Sequence, residues 1–137
     1  MQVTVELSPE PEDIDAVTQF LVDANFERAG QDNFEPLFVA LRDEIGTIAG
    51  GVIGETYWGW LYVDNLSVRT DLRGQGFGGL LLAAAEDEAR KRGCRHAFLD
   101  TFSFQARPFY EKHGYKIAGT LDDFPAGHQR FFLTKDL

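Results

Sequence analysis

The chain of 137 residues is poor in several things, and each shortage removes a class of function. It has one cysteine, Cys94, so no internal disulfide can form, which suits a reducing cytoplasm and argues against a small secreted scaffold. Its three histidines, His96, His113 and His128, are scattered and no pair has ligand spacing, so no metal is expected. Lys and Arg number 13 against 22 Asp and Glu, giving a net charge of −9. A protein that neutralises nucleic-acid phosphates needs the opposite balance and a basic stripe, so no nucleic acid is expected. No apolar run reaches the length that spans a bilayer, and MQVTVELSPE lacks the pattern of a secretory leader, so neither membrane nor export is expected. With 44% hydrophobic and 26% charged residues, what remains is one globular domain over residues 1–137, placed in the cytoplasm.

Periodicity then supplies an order of elements. VTVEL (Val3–Leu7) alternates as a strand does, and Ser8-Pro9 opens a helix, with Ser8 as its cap. Ile14, Val17, Phe20, Leu21 and Ala24 keep helical spacing up to about Gly30. Pro36–Ala40 and Ile45–Trp58 read as strands around a turn at Arg42–Glu44, and Leu61–Val68 as a third, with Gly59 the break before it. A helix runs from about Gly76 to Arg92, with acid-to-base pairs at Glu86–Arg90, Asp87–Lys91 and Glu88–Arg92, and Gly93 past its end. His96–Thr101 is a strand, Gln105–His113 a short helix, and Tyr115–Leu121 and Gln129–Thr134 are strands around a turn at Asp122–Gly127. Parallel pairing across the central strand–helix–strand and antiparallel pairing elsewhere make an α/β fold, a mixed sheet of about seven strands with helices on both faces.

Chemistry concentrates in SVRTDLRGQGFGGLLLAAAE (Ser67–Glu86), where a strand runs into glycines and then a helix. Gly74, Gly76, Gly78 and Gly79 cost backbone entropy that an ordinary loop would not spend. The helix behind them offers unpaired N–H groups and a positive dipole end, an anion site in the making. Gly74-x-Gly76-x-x-Gly79 with Asp100 downstream satisfies the dinucleotide fingerprint. Its context differs, because such a domain starts with this unit and continues through further crossovers, whereas here the chain is half spent before it.

Arg73-x-x-Gly76-x-Gly78, following LSV and opening a helix, resembles the acyl-coenzyme A signature of the GNAT superfamily of N-acetyltransferases. SFQARPFYEKHGY (Ser103–Tyr115) resembles that family's second segment, Asn-x-x-Ala-x-x-x-Tyr-Glu-Lys-x-Gly-aromatic, at Ala106, Tyr110, Glu111, Lys112, Gly114 and Tyr115. The resemblance implies acetyl-coenzyme A as co-substrate. Its pyrophosphate would lie against Arg73, Gly74, Gln75, Gly76, Phe77, Gly78 and Gly79, and its pantetheine arm along Leu66, Ser67 and Val68, with Ser103 and Ala106 adding contacts. Ser103 departs from the family's Asn and has fewer hydrogen-bonding groups. The resemblance makes Tyr110 the acid that protonates the departing thiolate; a half-buried structural aromatic is the alternative. Asp64 is the candidate base, or else a bonded structural acid, and its neighbour Asn65 is weaker.

The amine acceptor is expected near Trp58, Trp60 and Tyr62, which share one face if the chain stays extended through Gly59, and near Phe124 and His128. His128 is a second candidate base or a solvated turn residue. The expected reaction is direct transfer to a primary amine of a small molecule, by a homodimer. A non-catalytic acyl-coenzyme A-binding module and a nicotinamide oxidoreductase are the rival readings.

Overall fold

The computed structural model describes residues 1–137, which divide into two compact units, Met1–Asp32 and Asn33–Leu137. The first unit is built on helix α1 (Pro11–Ala29). The helix starts later than the sequence suggests. Glu10 precedes a proline, which pushes it out of the helical region, and it adopts φ −68°, ψ 142°. Pro11, not Pro9, takes the first turn, and no side chain caps it, so Ser8 is not the cap. Glu12 and Asp13 lie at the positive end, and Gly30 closes the other end by donating its N–H to the Phe26 carbonyl at 3.0 Å. Val3–Leu7 does not form the expected strand. Within this unit there is no second strand to take its backbone groups, and alternation alone cannot satisfy them.

The second unit is a six-stranded sheet with two helices. Its strands are β1 (Glu35–Arg42), β2 (Ile48–Tyr57), β3 (Trp60–Val68), β4 (His96–Phe102), β5 (Lys116–Asp122) and β6 (Gln129–Asp136), in spatial order β1-β2-β3-β4-β6-β5. Only β3 and β4 pair in parallel, and helix α2 (Phe77–Lys91) makes the crossover between them. Helix α3 (Arg107–Lys112) links β4 to β5.

The hairpin from β2 to β3 turns on Trp58 (φ 45°) and Gly59 (φ 76°). Two left-handed residues make the turn whose twist matches the flanking strands. Trp58 is thereby parted from Trp60 and Tyr62, and the extended reading of YWGWLY does not hold.

Alternation assigns the core. Leu61 and Val63 of β3, Ala97 and Leu99 of β4, and Phe131 and Leu133 of β6 pack with Leu81, Leu82, Ala85 and Ala89 of α2 and with Tyr110 of α3. Fully burying a leucine such as Leu61 or Leu82 stabilises by about 1.5–3 kcal/mol. Glu86 lies on the same stripe of α2, which decides its partner. It does not pair with Arg90; it accepts from Lys135 Nζ on β6 (2.9 and 3.0 Å) and from the Tyr115 hydroxyl (2.9 Å). Asp87 likewise pairs with Arg90 rather than Lys91, at 2.8 Å, whereas Glu88–Arg92 forms as expected at 3.1 Å. Gly93, at φ 84°, follows the helix as a terminating glycine should.

Candidate functional site

The site begins where two strands part. β3 and β4 pair from Trp60↔His96 to Val63↔Leu99 and no further. Beyond that vertex β3 stays paired to β2 through Val68, and β4 to β6 through Phe102. The facing edges of Asp64–Val68 and Asp100–Phe102 therefore have no strand partner. A bulge marks the same place, since Ile53 pairs with Asn65 and Gly54 with Val63, leaving Asp64 as the extra residue. Asp64 is exposed and carries no hydrogen bond or ion pair. Asn65 accepts from the Ser67 hydroxyl at 2.6 Å, so that side chain is engaged locally.

A single 3-10 turn, Thr70–Leu72, then leads into the glycines. Gly74 (φ 73°) and Gly76 (φ 87°, ψ 0°) take left-handed conformations that an ordinary side chain would oppose. None of the amides from Gly74 to Gly79 donates to a group of the protein; the first intrahelical bond is from Leu80 N–H to the Gly76 carbonyl, 3.2 Å. An unbroken run of unused donors at a helix head is a seat for a polyanion. Arg73 is part of it in a restricted way. Its Nε donates to the Val68 carbonyl at 3.1 Å, which occupies one carbonyl at the end of β3 and leaves the terminal guanidinium nitrogens free. Gln75 donates back to the Asp71 carbonyl at 3.2 Å.

Gly78 and Gly79 serve a different need. A Cβ on Gly78 would meet the Phe109 ring at 3.3 Å, and one on Gly79 would meet His113. These glycines let the head of α2 lie against α3. Ala106 stands at the start of α3, and its carbonyl accepts from Phe109 and Tyr110 (3.0 and 3.3 Å).

Tyr110 is 8% exposed, yet its hydroxyl makes no hydrogen bond, and no buried polar side-chain atom lacks one; the hydroxyl thus opens to solvent. Burial first, and then the charge of Asp100, push its pKa above that of an ordinary phenol. Asp100 is the first β4 residue past the vertex. Its Oδ2 accepts from the Tyr62 hydroxyl at 3.1 Å, and desolvation with the Asp100 charge raises the Tyr62 pKa to about 12. Its Oδ1 accepts from Arg130 Nε and Nη2, at 2.9 and 2.6 Å.

The expected acceptor residues gather in two groups. Trp60 and Tyr62 share a face with Phe98, at ring separations of 5.9 and 4.8 Å. Phe124 stacks on Phe102 at 5.4 Å, and His128 meets Phe104 edge-on at 5.1 Å. Ser103 is engaged by β6: its hydroxyl accepts from the Gln129 N–H at 3.1 Å and lies 3.3 Å from His128 Nδ1. Trp58 packs on Tyr57 instead, at 6.2 Å. Asp100, Phe102 and Arg130 contact the residues expected around the acceptor, and the sequence reading does not name them there. A charged residue alternating with aromatics in His96–Phe102 was the available signal.

Comparison with known proteins gives the chain a family. A family model described as the acetyltransferase (GNAT) family matches residues 3–115, and the chain belongs to that family. It is an acetyl-coenzyme A-dependent N-acetyltransferase. It is 39% identical over 120 residues to an acetyltransferase of Agrobacterium fabrum, covering 88% of each chain. It is 42% identical over 95 residues to the blasticidin-S acetyltransferase of Streptomyces morookaense, covering 69% of this chain and 70% of that one. The crystal structure of an acetyltransferase from Bacillus cereus superposes with a TM-score of 0.90 at 33% identity, over 98% of both chains.

Proposed function

We propose that the protein transfers the acetyl group to a primary amine of a small molecule, by direct attack within one ternary complex. The observation that carries this is the run of unused amides at Gly74–Gly79, set beside an edge of β3 that has lost its strand partner. These residues fit the co-substrate. The amides and the free end of Arg73 suit a pyrophosphate, and Leu66, Ser67 and Val68 offer main-chain groups to an amide-bearing arm, as a sheet edge does to an added strand. When bound, acetyl-coenzyme A supplies an activated acyl group on sulfur.

The chain's residues then divide the proton work. Asp64, unpartnered at the bulge, takes the proton that the attacking amine must lose, directly or through water. Tyr110, whose raised pKa keeps it protonated at neutral pH, gives its proton to the departing sulfur. Trp60, Tyr62, Phe124 and His128 flank the acceptor. The relative named blasticidin-S acetyltransferase supports a small-molecule acceptor.

Mass spectrometry tests the reading. The pure protein is incubated with acetyl-coenzyme A and a cell metabolite extract. The expected result is one or more amines gaining a single acetyl group. Acetyl-coenzyme A bound with no acetylated product would instead favour a binding module, and failure to bind it would overturn the reading of Gly74–Gly79.

A further inference from the structure

Arg130 is held like a tool with its working end free. It lies on β6 opposite Phe102 of β4 and Leu121 of β5. Its guanidinium carbon is 5.4, 5.2 and 5.3 Å from the ring centres of Phe102, Phe124 and Phe132. Both bonds to Asp100 end on one oxygen, Oδ1, while the Tyr62 hydroxyl holds the other. These contacts fix the plane and direction of the group. They use Nε–H and one N–H of Nη2, out of the five that a guanidinium carries. The two N–H groups of Nη1 and the second of Nη2 have no partner in the protein. The side chain is 28% exposed.

A residue serving only to neutralise Asp100 would gain most from engaging both carboxylate oxygens. Arg130 does not. The end it leaves open, Nη1 with Nη2, is the edge that receives a carboxylate in two parallel bonds. The position is right for a substrate. Asp100 is the first residue beyond the vertex, and Arg130 is one strand further, about 4.8 Å across the sheet. Asp100, bonded to Arg130, and Asp64, whose charge reaches the adjoining Tyr62, would oppose a doubly charged phosphate more than a singly charged carboxylate.

We propose that Arg130 anchors a carboxylate carried by the acceptor, so that the amines acetylated are amino acids or other carboxylated amines. This rests on the transferase reading given above and names its substrate class.

The test compares amines that differ only by the carboxylate: lysine with cadaverine, ornithine with putrescine, phenylalanine with phenethylamine. Isotope-labelled acetyl-coenzyme A with a metabolite extract adds an unbiased arm. The wild-type protein is expected to favour the acid of each acetylated pair, and the products labelled in the extract are expected to carry a free carboxylate. Arg130→Lys keeps the charge and loses the fork; it should raise KM for the acids about 10- to 100-fold and collapse the acid-to-amine ratio of kcat/KM. Acetyl-coenzyme A affinity, measured by calorimetry, should hold in both proteins. Labelled products without carboxylates, or a ratio untouched in Arg130→Lys, would overturn this inference and leave the transferase standing. Acetyl-coenzyme A that fails to bind the wild type would overturn both.

Discussion

Gly79 in the first turn of α2 and His113 at the end of α3 leave no room for a side chain between them. A Cβ on Gly79 would lie 2.9 Å from His113 Cε1, and the imidazole is backed by the Phe109 ring at 4.6 Å. Gly79→Ala should therefore destabilise the protein by about 1–2 kcal/mol, overpacking outweighing the better helix propensity of alanine. In a His113→Ala background the same change should become stabilising. Denaturant midpoints for the four proteins decide it, and equal effects in both backgrounds would dismiss the contact.

Tyr110→Phe removes a hydroxyl that no protein group holds. Turnover should fall about 100-fold or more, with acetyl-coenzyme A affinity unchanged. Because burial and Asp100 raise the Tyr110 pKa, the acid stays in its working form through neutral and mildly alkaline pH. The loss of rate caused by its ionisation should begin only above about pH 10. That alkaline limb should be missing from the Tyr110→Phe profile.

Lys135→Met strips the cation from Glu86, whose side chain is 7% exposed, and leaves the carboxylate with Tyr115 alone. An uncompensated buried charge should cost about 3 kcal/mol. The triple change Glu86→Leu, Lys135→Met and Tyr115→Phe, which leaves no member of the network buried and unpaired, should recover most of that, which urea denaturation would reveal.

The Tyr115 hydroxyl gives stability its own alkaline limit. Burial, then the charge of Glu86, raise its pKa well above the ordinary phenol value. The folded state then holds this proton more tightly than the unfolded chain. The contribution is complete below about pH 10 and is lost as pH rises through the folded-state value. Thermal midpoints should decline above pH 10, and less so in Tyr115→Phe.

Legibility followed how local the cause was. The glycine turn and the helix behind it could be read because each depends on neighbours in sequence. Trp58 could not be settled, since its face turned on whether Gly59 took a left-handed conformation. Glu86 looked like one of three surface pairs, and only the packing of α2 on the sheet turned it inward to Lys135. Val3–Leu7 had the alternation of a strand without a partner in its unit. Ser103 stands where the family motif has Asn, and only the fold shows that β6 claims its hydroxyl. Arg130 and Asp100, distant in sequence, met through the β4–β6 register alone.

The parting of β3 from β4 also has a mechanical side. The sheet is two three-stranded plates, β1-β2-β3 and β4-β6-β5, whose strands pair with each other only between Trp60↔His96 and Val63↔Leu99, with the Arg95–Gly59 backbone bond at one end, the Tyr62–Asp100 side-chain bond at the other and α2 behind. Such a seam resists sliding but yields to opening, like a book bound along half its spine. A molecule laid in the open half, bonded to both edges, would finish the binding and stiffen both plates at once.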